Sequence, residues 1–93
     1  MSETMPKSEA MDARRRRLIY RSLYTGMKET DILLGPFAQA HIPGFSVEQL
    51  DRYERLLAEP DPDILDWASG RQPVPPDHDN DVMRLLRNFK KPA

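Results

Sequence analysis

The chain has 93 residues, no cysteine, two histidines and a formal charge of −1 from 14 basic and 15 acidic side chains. A chain of this length builds one thin core and buries only about 60–65% of the surface it exposes when unfolded, which excludes a multidomain enzyme and favours surface function over pocket chemistry. Without cysteine there is no disulfide framework, thiol nucleophile or usual zinc knuckle, and His41 with His78 cannot build a metal site from imidazoles alone.

The near-neutral total conceals a segregation. Residues 1–28 carry a net +4, residues 29–81 a net −9 and residues 82–93 a net +4. The acidic middle repels phosphate backbones, so any nucleic-acid role has to rest on the ends, chiefly Arg14 to Arg17. Residues 1–17 hold Glu3, Glu9 and Asp12 and no apolar run, unlike a secretory signal or an acid-poor transit peptide. Apolar stretches such as Ile32-Leu33-Leu34 are too short to span a bilayer, so no membrane insertion is expected.

Apolar spacing is helical throughout and no segment reads as a strand, so the expected fold is an all-α bundle of about five short helices in a single domain, 1–93, with loose ends at 1–7 and 91–93. The first helix is expected from Ser8, as N-cap, to Tyr24, with Met11, Leu18, Ile19, Ser22 and Leu23 near one face and Gly26 ending it. A second segment, Met27 to Ala40, puts Leu33, Leu34, Phe37, Ala38 and Ala40 on one stripe. Gly35-Pro36 predicts a kink or a break there, because Pro36 removes a donor and crowds the preceding turn.

Ser46-Val47-Glu48-Gln49 has capping-box spacing and starts a third helix, whose apolar positions Val47, Leu50, Tyr53, Leu56 and Leu57 run to about Ala58. Asp61 is expected as N-cap of a short fourth helix, with Pro62 at its first position and Gly70 at its end. Trp67 on this helix is expected to pin it by burial. Pro73 to Pro76 reads as an extended connector, and Asp79 or Asn80 caps a last helix bearing Val82, Met83, Leu85, Leu86 and Phe89.

Nothing here assembles a nucleophile, a base and an orienting group. His41 and His78 read as helix-end and loop histidines, and Asp61 with Asp63 as helix N-terminal carboxylates. Arg14 to Arg17 point around the whole helix cylinder rather than along one stripe, which suits a solvated face better than a binding patch. The turn from Tyr24 to Asp31, where the basic helix meets the acidic middle, is the remaining unusual element.

The ordered set Arg21-Ser22, Gly26-x-x-Glu29, Asp31-x-Leu33-Leu34, Phe37-Ala38, Leu56-Leu57, Asp61-Pro62-Asp63, Leu65 and Trp67 resembles the succinate dehydrogenase flavinylation (assembly) factor family, from about Arg14 to Phe89. The resemblance implies a small five-helix protein, not itself an enzyme, that binds the flavoprotein subunit of succinate dehydrogenase or of fumarate reductase and promotes covalent attachment of FAD. The client would supply both the flavin and the histidine that it joins, so the factor would hold no cofactor.

The family motif is Arg-Gly-x-x-Glu. Gly26 and Glu29 match it and Thr25 departs from its arginine, whose forked hydrogen bonds threonine cannot make. Either Arg21, one turn earlier, stands in for it or the arginine is dispensable. The expected partner-binding residues are Arg21, Thr25, Gly26, Met27, Glu29 and Asp31, on a protein that is monomeric when free, binds no nucleic acid and lies in a bacterial cytoplasm. A mitochondrial matrix location is disfavoured by the lack of a visible transit peptide. The alternative is a helical adaptor that binds nucleic acid or another protein through Arg14 to Arg17.

Overall fold

The computed structural model describes residues 7–89: α1 (Lys7–Leu23), α2 (Lys28–His41), α3 (Val47–Leu57), α4 (Asp61–Ser69) and α5 (Asp81–Asn88), with 3-10 turns at Ile42–Gly44 and Pro76–His78. No strand occurs among the described residues, in keeping with the all-α expectation. No helix among them is long and apolar enough to cross a membrane. The tails expected at 1–7 and 91–93 lie outside the described residues, except Lys7, which is already helical.

α1 and α2 pack side by side. Leu23 meets Gly35, where an added Cβ would lie 2.9 Å from Leu23 Cδ2, and Arg15 Nη2 donates to the Phe45 carbonyl at 2.9 Å. These contacts pair the end of α1 with the middle of α2 and the middle of α1 with the residues after α2, so the two helices run antiparallel. Leu18 of α1, Leu34, Phe37 and Ala38 of α2, Leu50, Tyr53 and Leu56 of α3, Ile64 of α4 and Val82, Met83 and Leu86 of α5 form one buried cluster with Ile42 and Phe45. Phe37 lies at its aromatic centre, with ring centroids 5.8 Å from Tyr53, 5.6 Å from Phe89 and 4.8 Å from His41.

Short-range expectations held well. The Ser46 hydroxyl accepts from Gln49 N at 3.2 Å while Gln49 Oε1 accepts from Ser46 N at 2.9 Å, a complete capping box. Gly70 ends α4 in the left-handed conformation (φ 80°), and Asn80 caps α5 by accepting from Met83 N at 3.0 Å.

Other expectations are corrected. Ser8 is inside α1, not at its N-cap. Of the kink or break expected at Gly35-Pro36, the break does not occur: α2 continues through it, since Pro36 forfeits a single backbone bond while Leu34, Phe37 and Ala38 around it are buried. Ala40 is exposed, not part of the buried stripe. Pro60, not Asp61, is the N-cap of α4, because its carbonyl accepts from Asp63 N and Ile64 N and the Asp61 carboxylate is engaged elsewhere. Trp67 is half-buried and its ring faces His78 at 5.3 Å. His78 lies in the connector between α4 and α5, as expected, and is buried there, with Nε2 2.7 Å from Glu59 Oε2.

One buried polar chain crosses the core. Ser22 Oγ donates to the Leu18 carbonyl at 2.8 Å, so the Tyr53 hydroxyl, 2.5 Å away, donates to Ser22 Oγ. Burial pushes the Tyr53 phenol above its ordinary value. Ser22→Ala strands the Tyr53 donor and should destabilise by about 1–3 kcal/mol, whereas Tyr53→Phe leaves Ser22 bonded to Leu18 and should cost about 0.5–1.5 kcal/mol. Urea melts of both variants and of the double variant, whose loss should fall below the sum of the two, check this; strict additivity would contradict the hydrogen bond.

Candidate protein-docking site

α1 gives way to a four-residue turn, residues 24–27, before α2 begins at Lys28. Met27 is the N-cap of α2, extended at φ −103° and ψ 136°, and its side chain can cap nothing. The turn is held by two carboxylates instead. Asp31 Oδ1, from the first turns of α2, accepts from Thr25 N at 2.7 Å and Thr25 Oγ1 at 2.6 Å. Asp61 Oδ2, from the start of α4, accepts from Met27 N at 3.0 Å. The Thr25 hydroxyl and amide both donate to Asp31, so this residue buttresses the turn.

Gly26 is exposed at the tip with φ +128°, a backbone that L side chains rarely adopt. A Cβ there would meet only Asp61 Oδ2, at 3.8 Å, so the space beside it is open. Glu29, in the first turn of α2, is exposed and enters no hydrogen bond or ion pair among the described residues, while its neighbour Thr30 is fully buried. An acidic side chain here complements the positive end of the helix and still faces solvent.

The six expected residues therefore divide. Gly26 and Glu29 face outward together; Met27 is half-buried and gives its amide to Asp61; Thr25 and Asp31 are bonded to each other. Arg21 Nη1 is 4.0 Å from Glu54 Oε2 of α3, and Arg21 lines a shallow cavity of about 120 Å3 with Tyr24, Thr25, Leu57, Asp61 and Ile64. Sequence reasoning missed Asp61 as a member of the site, since nothing local marks a bond to an amide 34 residues earlier. Tyr24, exposed beside the turn, carried no motif signal either.

Arg14 to Arg17 form no common patch. Arg14 Nη2 is 2.7 Å from Asp51 Oδ1 and 2.9 Å from Glu54 Oε1, and Arg15 is 3.6 Å from Asp12 as well as bonded to Phe45. Arg16 and Arg17 are the two left exposed.

The two hydrogen bonds from Thr25 hold the Asp31 carboxyl below its ordinary value. A carboxyl depressed in the folded state adds stability above its unfolded value, about pH 4, and loses that contribution as pH falls through the folded value. Following the Asp31 carboxyl by NMR should give a midpoint below the ordinary one that climbs in Thr25→Val. Asp31→Asn should melt lower than the parent at neutral pH, with the gap closing in acid. An unchanged midpoint in Thr25→Val would contradict the clasp.

Comparison with known proteins gives a consistent picture. Residues 16–90 match the family model described as flavinator of succinate dehydrogenase. The chain is 40% identical over 88 residues to succinate dehydrogenase assembly factor 2-A, mitochondrial, of Drosophila yakuba, covering 92% of this chain and 54% of that protein. It is 44% identical over 85 residues to succinate dehydrogenase assembly factor 2, mitochondrial, of Danio rerio (89% and 54%), and 42% over 83 residues to the protein of that name in Debaryomyces hansenii (85% and 58%). The chain thus spans about half the length of the curated relatives it matches. The cytoplasmic expectation is overturned: these relatives are mitochondrial by name, and the missing transit peptide was no argument in a chain that covers only part of them. With five α-helices among its described residues and its Gly26-x-x-Glu29 turn, the chain belongs to the flavinator of succinate dehydrogenase family.

Proposed function

We propose that this protein is an assembly factor that binds the flavoprotein subunit of succinate dehydrogenase through the outward face of the Gly26 turn and promotes covalent attachment of FAD to that subunit. The related subunit of fumarate reductase is a second client of the same chemistry. The observation that carries this reading is the pairing of Gly26 and Glu29. One offers bare backbone in open space and the other an unpaired carboxylate, on a turn braced from behind by Asp31 and Asp61.

A rigid, pre-formed turn limits the ordering cost of association, and a partner's backbone can approach a residue without a Cβ. The factor acts by selecting the client arrangement in which flavin and acceptor side chain are aligned, contributing orientation and no nucleophile. Both histidines are engaged internally, His41 among Phe37, Phe45 and Phe89 and His78 against Glu59, which supports that division of labour. The protein binds its client as a monomer and leaves FAD to it: the cavity beside the turn is smaller than the roughly 300 Å3 of a small-molecule site, and the larger grooves along α3 are open and charged.

Reconstitution of the purified flavoprotein subunit with FAD, read by covalent flavin fluorescence in denatured bands, tests this. Glu29→Gln should cost a few tenths of a kcal/mol in stability and more than about 1 kcal/mol in client affinity. A stability loss with unaltered affinity and flavinylation would reduce Glu29 to a helix-end charge. Gly26→Ala, carrying the backbone strain alone, should destabilise by about 1–2 kcal/mol and retain flavinylation at temperatures where it is folded. Gly26→Arg, which adds bulk at the contact, should abolish it; normal flavinylation by Gly26→Arg would remove the turn from the interface.

A further inference from the structure

We infer that the docking surface continues up the outer face of α1 as an aromatic and cationic strip, Tyr20 and Tyr24 with Arg16 and Arg17, which receives an acidic polypeptide segment of the client. This rests on the reading of the Gly26 turn as the client contact and extends it to a neighbouring surface.

Tyr20 and Tyr24 are 65% and 67% exposed, the most exposed of the large hydrophobic residues. Their rings lie 4.8 Å apart at 45°, so they form one surface rather than two isolated side chains. Arg17 and Tyr20 lie three apart on α1, on the far side from buried Leu18 and Ser22, and exposed Tyr24 directly follows the last residue of the helix. Tyr24 precedes the Gly26 turn by two residues, so the strip runs directly into the proposed contact. Aromatic side chains beside arginine are the residue types enriched at the energetic centre of interfaces.

Charge identifies the occupant. Arg16 and Arg17 are exposed and enter no ion pair among the described residues, whereas Arg14, Arg15 and Arg21 face Asp51, Glu54 or Asp12. Two exposed, unpaired arginines within a helical turn of Tyr20 match a short segment with carboxylates flanking an apolar side chain or a peptide plane. Single-stranded nucleic acid would use the same ring faces, but two free arginines neutralise few phosphates and the net −9 of residues 29–81 repels the rest of such a chain.

The test is titration of the full chain into purified flavoprotein subunit at low and at physiological ionic strength, with circular dichroism melts confirming that these surface variants stay folded. The Tyr20→Ala/Tyr24→Ala pair should weaken binding by more than about tenfold and the corresponding phenylalanine pair by less than about threefold. Arg16→Ala/Arg17→Ala should slow association and flatten its salt dependence. Binding by the parent that none of these variants alters would overturn the strip and leave the Gly26 contact standing. No binding by the parent would overturn both. Tyrosine-dependent binding of a single-stranded oligonucleotide, without binding of the flavoprotein, would also overturn it and mark the strip as a base-stacking surface.

Discussion

Two carboxylates from different helices converge on three consecutive residues, and the geometry of the outward surface depends on them. α2 starts without a capping side chain because Met27 stands at its N-cap. Asp31 reaches back to Thr25 and Asp61 reaches across from α4 to Met27, so backbone groups that would otherwise be unsatisfied are bonded from the protein side. Gly26 between them, at a positive φ that glycine adopts readily and other residues do not, is thereby held in place with its open side to solvent. Because Asp61 belongs to α4, the turn is tied to the bundle as a whole and not only to the hairpin that contains it.

The same arrangement accounts for threonine where the family motif has arginine. Thr25 donates its amide and its hydroxyl to one carboxylate oxygen, a role for a short side chain within the turn. A long cation at this position would point its charge elsewhere. Of the motif positions, Gly26 and Glu29 are the ones left exposed, and the cavity lined by Arg21 and Tyr24 adjoins Thr25. The charge segregation of the sequence is also used internally, since the basic first helix lies along the carboxylates of the third: Arg14 meets Asp51 and Glu54, and Arg21 approaches Glu54. Each such exposed pair is worth little by itself, and their main consequence is to withdraw cations from any shared basic patch.

What was legible in the sequence was what short-range physics controls. The Ser46–Gln49 capping box, the Gly70 stop and the Asn80 cap each depend on residues within four positions, and the 3.6-residue rhythm placed Leu50, Tyr53 and Leu56 correctly in the core. Errors came where distant partners override local preference. Pro36 looks like a breaker until α2 is packed against α1, and Asp61 looks like an N-cap until Met27 is brought to it from 34 positions away. The place of His78 in a connector was legible but its burial was not, because neither Glu59 nor Trp67 announces itself as its neighbour. At the site, Gly26 and Glu29 were visible through ordered motifs, whereas the inward role of Thr25 needs the fold that sets Asp31 behind it.

The most direct measurement is amide hydrogen exchange along the whole chain, alone and saturated with the purified flavoprotein subunit of succinate dehydrogenase. A turn that docks by its outer face slows exchange on client binding, in an envelope covering residues 24–32 and leaving the α3 and α5 amides at their free rates. Protection confined to the α3 and α5 surfaces, with residues 24–32 exchanging as in the free protein, would contradict the account.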